Sequence, residues 1–371
     1  MKIHLERKYG MKKFPGFEHG MGMGGGLTNY KRFGVLPENM RLTVTEGDLE
    51  HFDSYITERD IAYIASLGMD HIRLGFDQLV MEEKPFVYRE RTFLCIDRFI
   101  EWCEKNGLGI VLNMHKAVGN YCDVKEEREL LEDAELQERF IAMWVYFEKR
   151  YAGKPNVIFE LLNEVRDVPP DKWNSLAERT VNAIRAENPL RRIIIGSTCW
   201  NSPSTLSRLR LYEDENIIYT FHFYEPFEFT HQRGVLQPPC AYYNREMPYP
   251  CDIERYRDFR RFVYGEENPY PNFTEVNKEM LRTMLKPALD FADSHPDKIL
   301  WLGEFGTIRH AGLNYREAWM RDVIDIVSEK GIPYCVWNYL STPYDGNRFS
   351  LVDDDNRRIV SDEMARIIRG K

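Results

Sequence analysis

Short, almost continuous apolar runs alternate along the chain with stretches of helical periodicity. The runs are Asp70–Phe76, Gly109–His115, Asn156–Glu164, Arg192–Ser197, Asn216–Tyr224, Ile299–Glu304 and Pro333–Asn338. A short run that is apolar throughout is buried on both faces, as a parallel strand covered by helices is. Helix signals lie between the runs. Thr57 and Asp60 bracket a start that Gly68 stops, and Asp171 is placed to cap a helix through Trp173–Ala186. Asn314 and Glu317 have capping-box spacing, ahead of a helix ended by Gly331 and Pro333. Each helix leads into another buried strand, so the repeating unit is βα.

Seven strands are visible, and the Gly-rich segment His19–Leu27 supplies an eighth. Eight βα units in one chain predict an α/β fold of the (β/α)8 barrel type, with an open doubly wound sheet as the alternative. No linker rich in Pro, Gly or Ser divides residues 1–371, so a single domain is expected. A barrel of about 250 residues leaves roughly 120 over. Much of that excess falls in the 83 positions (299 − 216) from strand six to strand seven. Residues 226–272, dense in Pro, Tyr, Phe and Arg, are expected to form an extended loop at the barrel mouth, and Phe273–Ser294 a helix.

Composition and charge exclude more than they assign. The 50 Lys+Arg against 59 Asp+Glu give a net charge of −9. No basic stripe appears, so neither nucleic acid nor an anionic membrane is expected as a partner. No apolar run approaches the roughly 20 residues of a membrane span. The first residues, MKIHLERKYGMKKF, have the charge of a signal-peptide start without an apolar core behind it. The chain as written is expected in the cytoplasm; with a leader already removed, it would be secreted or periplasmic. Seven cysteines include no CxxC pair. Cys95, Cys103, Cys199 and Cys335 read as small core residues, whereas Cys240 and Cys251 flank a short loop and would pair in an exported protein. The 7 Trp, 21 Tyr and 21 Phe suit flat ligands such as sugars, although most aromatics belong to cores.

The candidate chemistry comes from where the runs turn polar. Arg73, His115, Asn163, Glu164, His222, Tyr224, Glu304 and Trp337 all stand in or beside the strand ends. Each alone has an ordinary reading as a solvated end, an ion-pair partner or a packed ring. Six strands delivering such residues to one end are not explained by packing, because buried charge is costly unless paired. Barrel enzymes keep their active sites at that end. Glu164 and Glu304 close strands four and seven and can face each other across the mouth. Paired carboxylates flanking a cleft suit glycosidic bond cleavage, one protonated and the other ionised and held by donors. Arg73 and Tyr224 are candidate donors to the ionised one, and Asn163 is a neutral donor for a sugar hydroxyl.

Other motifs are weaker. Gly20–Gly25 fits GxGxxG, but no strand precedes it and no good helix start follows, so no dinucleotide and no other cofactor is expected. The glycines are read as allowing close backbone approach beside the site, with Asn29 and Tyr30 reaching towards a ligand. His115, His222 and His310 show no HxH or HExxH spacing, so no metal is expected. A barrel that binds glycans without catalysis, or a metal-dependent one, remains the reading from another class.

The ordered set resembles glycoside hydrolase family 5. That family's pattern is Arg on strand two, His on three, Asn-Glu on four, His-x-Tyr on six, Glu on seven and Trp on eight. Arg73, His115, Asn163, Glu164, His222, Tyr224, Glu304 and Trp337 supply it in order, over about Gly20 to Tyr339. The resemblance implies a retaining β-glycoside hydrolase with a β-linked polysaccharide or oligosaccharide as substrate. An endo-β-1,4-glucanase is the leading form, with a β-mannanase or exo-β-glucosidase as alternatives. It implies Glu164 as acid and then base, and Glu304 as nucleophile about 5–5.5 Å away. Arg73 and Tyr224 would orient and ionise Glu304, and His222 would tune Glu164. Asn163 would hold the sugar 2-hydroxyl, with His115 lining the subsite and Trp337 beneath the sugar. Trp200 and Asn201, after strand five, match a place where the family often has a sugar-stacking residue.

Overall fold

A computed structural model describes residues 11–33, 42–121, 128–343 and 345–370. Most of the charged N-terminal stretch therefore lies outside the described residues. Eight parallel strands close a barrel: β1 (His19–Met23), β2 (His71–Asp77), β3 (Gly109–Lys116), β4 (Val157–Glu160), β5 (Ile193–Gly196), β6 (Ile217–Phe223), β7 (Ile299–Phe305) and β8 (Tyr334–Val336). Neighbours in sequence are neighbours in space, and β8 pairs with β1 to close the ring. The (β/α)8 expectation therefore holds, and the open sheet is excluded. Among the described residues no helix is long and apolar enough to cross a membrane.

Period-two alternation divides each strand between two cores. Val111, Ile158, Ile194, Ile218, Ile299, Trp301 and Cys335 fill the barrel interior, and Phe14 and Phe17 plug it. The alternate residues pack against the surrounding helices in the larger core. Thr57 and Asp60 form the expected capping box on the helix Glu58–Ser66. Two expected caps are displaced. The helix Pro170–Glu187 starts from Pro169, with Asp171 inside its first turn, and the helix Leu313–Ser328 starts from Gly312 rather than Asn314. In the first of these, proline at N1 and the acidic Asp171 in the first turn favour the helix start that an Asx cap would otherwise mark.

Three further expectations change. The strand-four run is shorter as a ladder: regular pairing ends at Glu160, and beyond it Leu161 N–H still reaches Ile194 O at 3.1 Å and Asn163 N–H reaches Met114 O at 2.9 Å. The βα unit after β5 has no full helix, only the 3-10 turn Pro203–Arg208, because 24 positions separate the starts of the two runs (216 − 192). Residues 226–272 are not an extended loop. They fold into short helices at Phe227–Thr230, Pro238–Tyr243 and Glu254–Tyr264, and Cys251–Asp252 pairs with Glu275–Val276. Their apolar residues join the outer core, and the Tyr249 hydroxyl donates to Asp322 at 2.7 Å, so the insertion is not a separate domain. Cys240 and Cys251 are free thiols, each donating to a backbone carbonyl.

The Gly-rich β1 has a steric cause. A methyl group on Gly22 would lie 2.8 Å from the Trp337 indole, and one on Gly24 would lie 2.9 Å from it. Gly22→Ala should therefore destabilise the protein by about 1–3 kcal/mol through overpacking and lower activity with it. Gly153→Ala, where a methyl group meets nothing within 4 Å, should do neither. Denaturant midpoints of the two variants make the comparison.

Candidate active site

The same alternation that fills the interior places the site. Above the apolar layer the inward positions are Arg73 on β2, Asn113 and His115 on β3, Glu160 on β4, and Thr220 and His222 on β6, with Tyr224 just beyond. Strict alternation from Ile299 and Trp301 would turn Gly303 inward and Glu304 outward. The β7–β6 register shifts between Leu302 and Glu304, so Glu304 pairs with His222 instead. This bulge re-aims one side chain, as bulges beside active sites do. A side chain at Gly303 would crowd the Thr220 hydroxyl, at 2.5 Å.

Arg73 is fully buried and joins three carbonyl or carboxylate groups. Its Nε donates to Glu160 Oε2 at 2.6 Å and its Nη2 to Glu160 Oε1 at 2.9 Å. Nη2 also donates to Asn163 Oδ1 at 2.6 Å, and Nη1 donates to Glu304 Oε1. Burial opposes its charge, but the two carboxylates outweigh that and keep it protonated. The Tyr224 hydroxyl donates to Glu304 Oε2 at 2.9 Å. Burial, and then the Glu304 charge, push that phenol well above its usual range, so it stays a donor.

Glu164 stands past the end of the β4 ladder and is held from three sides. Asn163 N–H donates to Met114 O on β3 at 2.9 Å, and Asn120 Nδ2 donates to Glu164 O at 2.8 Å. Asn201 Nδ2 donates to Asn163 O at 2.7 Å, and Trp200 N–H to Val165 O at 2.8 Å. Cys199, Trp200 and Asn201 reach these partners in a left-handed turn, with φ of 59°, 55° and 57°. Such residues cost about 1–3 kcal/mol each and persist where surrounding bonds fix them. The turn sends Asn201 inward, fully buried, and leaves Trp200 exposed at 43%. Asn201 thus supports the segment from behind, and Trp200 alone of this pair has a face towards solvent.

His222 Nδ1 lies 2.9 Å from Glu164 Oε1 and 3.7 Å from Glu304 Oε2. The Asn201 amide reaches its Nε2 at 3.3 Å, which assigns the proton to Nδ1 and makes His222 the donor to Glu164. Burial pushes its imidazole down to about 4. His115 Nδ1 donates to Asn113 Oδ1 at 2.8 Å, and its Nε2 faces the amides of Asn29 at 3.2 Å and Asn163 at 3.4 Å. Burial, and then Arg73, hold it well below the usual histidine range. Its ring stacks on Trp337 at 5.2 Å and 14°. Tyr30 stacks instead on His51, with centroids 3.7 Å apart. Nine of the ten candidates thus form one contact network around the two carboxylates, Asn201 through Asn163 and His222. Asn201 is its buried back and Trp200 stands at its rim.

Glu160 and Asn113 went unremarked in the sequence. The signal for Glu160 was its parity with inward Ile158: a charge pointing into a barrel interior needs a partner. Among the described residues, one group has metal-ligand spacing: an atom each of Glu164, His222 and Glu304, all within 4.8 Å of one another. Arg73 and Tyr224 already donate to the two Glu304 oxygens, and His222 gives Nδ1 to Glu164. The donor set is therefore organised for protons rather than for a cation.

A family model described as cellulase (glycosyl hydrolase family 5) matches residues 35–342. Endoglucanase C of Acetivibrio thermocellus is 37% identical over 361 residues, covering 95% of this chain and 98% of that protein. Cellodextrinase A of Ruminococcus flavefaciens is 30% identical over 286 residues, covering 76% and 78%. The solved structure of a hyperthermophilic endo-β-1,4-glucanase with substrate has a TM-score of 0.72 at 22% identity, covering 96% of this chain and 97% of that one, a likeness of fold.

Three histidines are buried in or behind the site. Burial sets His222 at about 4 and His231 at about 3, and His115 is also depressed. Unfolded, each takes up a proton near pH 6.5. Stability should therefore be full above about pH 6.5 and fall as the pH drops towards 4, each histidine contributing up to about 1.4 kcal/mol per pH unit. Urea midpoints at pH 7.5, 6 and 5 measure the slope, and His231→Phe should lower it by about one proton.

Proposed function

The chain belongs to glycosyl hydrolase family 5, and from that premise we propose that it cleaves internal β-1,4 bonds of soluble β-glucans with retention of configuration. The observation that carries this is the carboxylate pair, with one oxygen of Glu164 and one of Glu304 within 4.8 Å. Retaining glycosidases hold their carboxyl groups about 5–5.5 Å apart, too close to admit a water between them.

The partners divide the labour. Glu304 takes its hydrogen bonds from a permanent cation and a phenol, which aim it, and it attacks the anomeric carbon. Glu164 takes its bond from neutral His222 and delivers a proton to the departing oxygen. In the second step Glu164 recovers a proton from water as that water displaces Glu304. Asn163, fixed through Oδ1 by Arg73, turns its amide towards the position of the sugar 2-hydroxyl, where contacts strengthen in the transition state. Trp337, backed by His115 and by the missing side chains of Gly22 and Gly24, supplies the floor.

Trp200 and Phe227 present exposed rings beside this centre, after β5 and β6. Phe227 packs on His231 at 5.0 Å, and His231 packs on Tyr224 at 5.3 Å. The helical insertion therefore borders the cleft, and chain length and linkage preference are set along it.

Hydrolysis of a soluble β-1,4-glucan oligosaccharide should release the β-anomer first, observed by proton NMR before mutarotation. Glu304→Ala should lower turnover by about a thousandfold or more. An α-anomeric first product, or a Glu304→Ala protein of near-normal rate, would sink the proposal. Trp200→Ala should raise KM for long oligosaccharides about two- to tenfold, the loss of one stacked ring, and leave kcat on a short aryl glycoside unchanged.

A further inference from the structure

We infer that Glu160 is a positioning residue for the reaction: it neutralises Arg73 from behind and so leaves Glu304 a carboxylate with net charge to attack. This rests on the reading of Glu304 as nucleophile. Glu160 is fully buried one inward position above Ile158 and touches no open cleft. It occupies the Nε–Nη2 edge of the guanidinium with both oxygens, at 2.6 and 2.9 Å, leaving Nη1 for Glu304.

Charge counting shows what the second carboxylate adds. Arg73 and Glu304 alone would form a neutral buried pair, which is sufficient to compensate the cation. Glu160 is therefore surplus to neutrality, and the trio carries a net charge of −1. A carboxylate that shares its cation is a stronger base and nucleophile than one that owns it. Paired forks also fix the guanidinium plane, because Nε and Nη2 cannot rotate independently of Nη1. The groups facing the trio do not cancel this charge. His115 and His222 are kept neutral by burial, Tyr224 and Cys335 keep their protons, and Glu164 is the acid partner. His71 below is likewise depressed by burial, against the pull of Asp70.

Glu160→Gln keeps the shape and removes the charge. Its glycosylation rate on a dinitrophenyl β-cellobioside, whose leaving group needs no acid, should fall about ten- to a hundredfold. The acid limb of kcat/KM should move about one unit to lower pH, because a negative neighbour of the nucleophile is gone. Glu160→Asp keeps the charge and should keep the limb in place, whatever its effect on stability. A limb unmoved in Glu160→Gln, with a rate loss matching the folded fraction, makes Glu160 merely structural and overturns the inference. So does a limb that moves equally in Glu160→Asp, the variant that decides if Glu160→Gln folds poorly. Wild-type protein is first treated with a 2-deoxy-2-fluoro-cellobioside. Labelling at Glu304 establishes the underlying nucleophile independently, and its absence removes that reading and the role of Glu160 together.

Discussion

The buried guanidinium of Arg73 is the constraint around which the rest of the barrel is arranged. A unit charge without water must be paired, and each contact at about 4 Å is worth on the order of 4 kcal/mol at an effective dielectric constant near 20. Removing one partner of such a pair is far more damaging than never having had it. Arg73 stands on β2, while its acceptors come from β4, the segment beyond β4, and β7. Satisfying it ties strands from opposite sides of the ring across the interior. Folding the barrel and assembling the site are, at this level, the same event.

The candidate site concentrates where the regular sheet gives way. The regular β4 ladder ends four residues before Glu164, β7 slips register before Glu304, and the connection after β5 turns left-handed through Asn201. In a perfect alternating barrel, Glu304 would face the helices. Each irregularity costs backbone energy, and each is held by hydrogen bonds from neighbouring strands rather than by its own. The left-handed turn shows the logic most fully: it has no glycine, yet two of its backbone or side-chain donors clamp the Asn163–Val165 segment. Glycine is spent elsewhere, on β1, where an indole must lie against the backbone.

Much of this was legible in the sequence because burial leaves a strong mark. Strands covered on both faces read as apolar runs, and a charge or imidazole at the end of such a run is conspicuous. That is how Arg73, His222 and Glu304 could be singled out. Glu160 was hidden by the same rule, since it lies inside a run whose last residues, Asn163 and Glu164, drew attention. Asn201 could be read only as a neighbour of Trp200, because the turn that separates their directions depends on contacts with a segment 38 positions away. The register slip at Gly303 leaves no periodic signature at all. The insertion read as a loop because its helices are short and its Pro and Tyr residues are poor helix formers. They are stabilised by packing on the helix that carries Trp319 and Asp322.

The two carboxylates are the same residue type, so their difference must come from their partners. Glu304 is bonded to a group that burial cannot neutralise, since a guanidinium flanked by two carboxylates keeps its proton. Glu164 is bonded to one that burial does neutralise. Were His222 charged, it would hold Glu164 as an ion pair and favour its ionised form, removing the proton that the proposed first step needs. Burial prevents that by setting the imidazole at about 4, and the Asn201 amide at Nε2 fixes which nitrogen carries the remaining hydrogen. Neutral His222 can donate to Glu164 with or without its proton, more strongly to the carboxylate but without the full pull of an ion pair. In the proposed mechanism Glu164 serves as acid in one step and base in the next with the same donor beside it. Asn201, fully buried behind His222, thus bears on the proposed chemistry at one remove, through the tautomer it imposes.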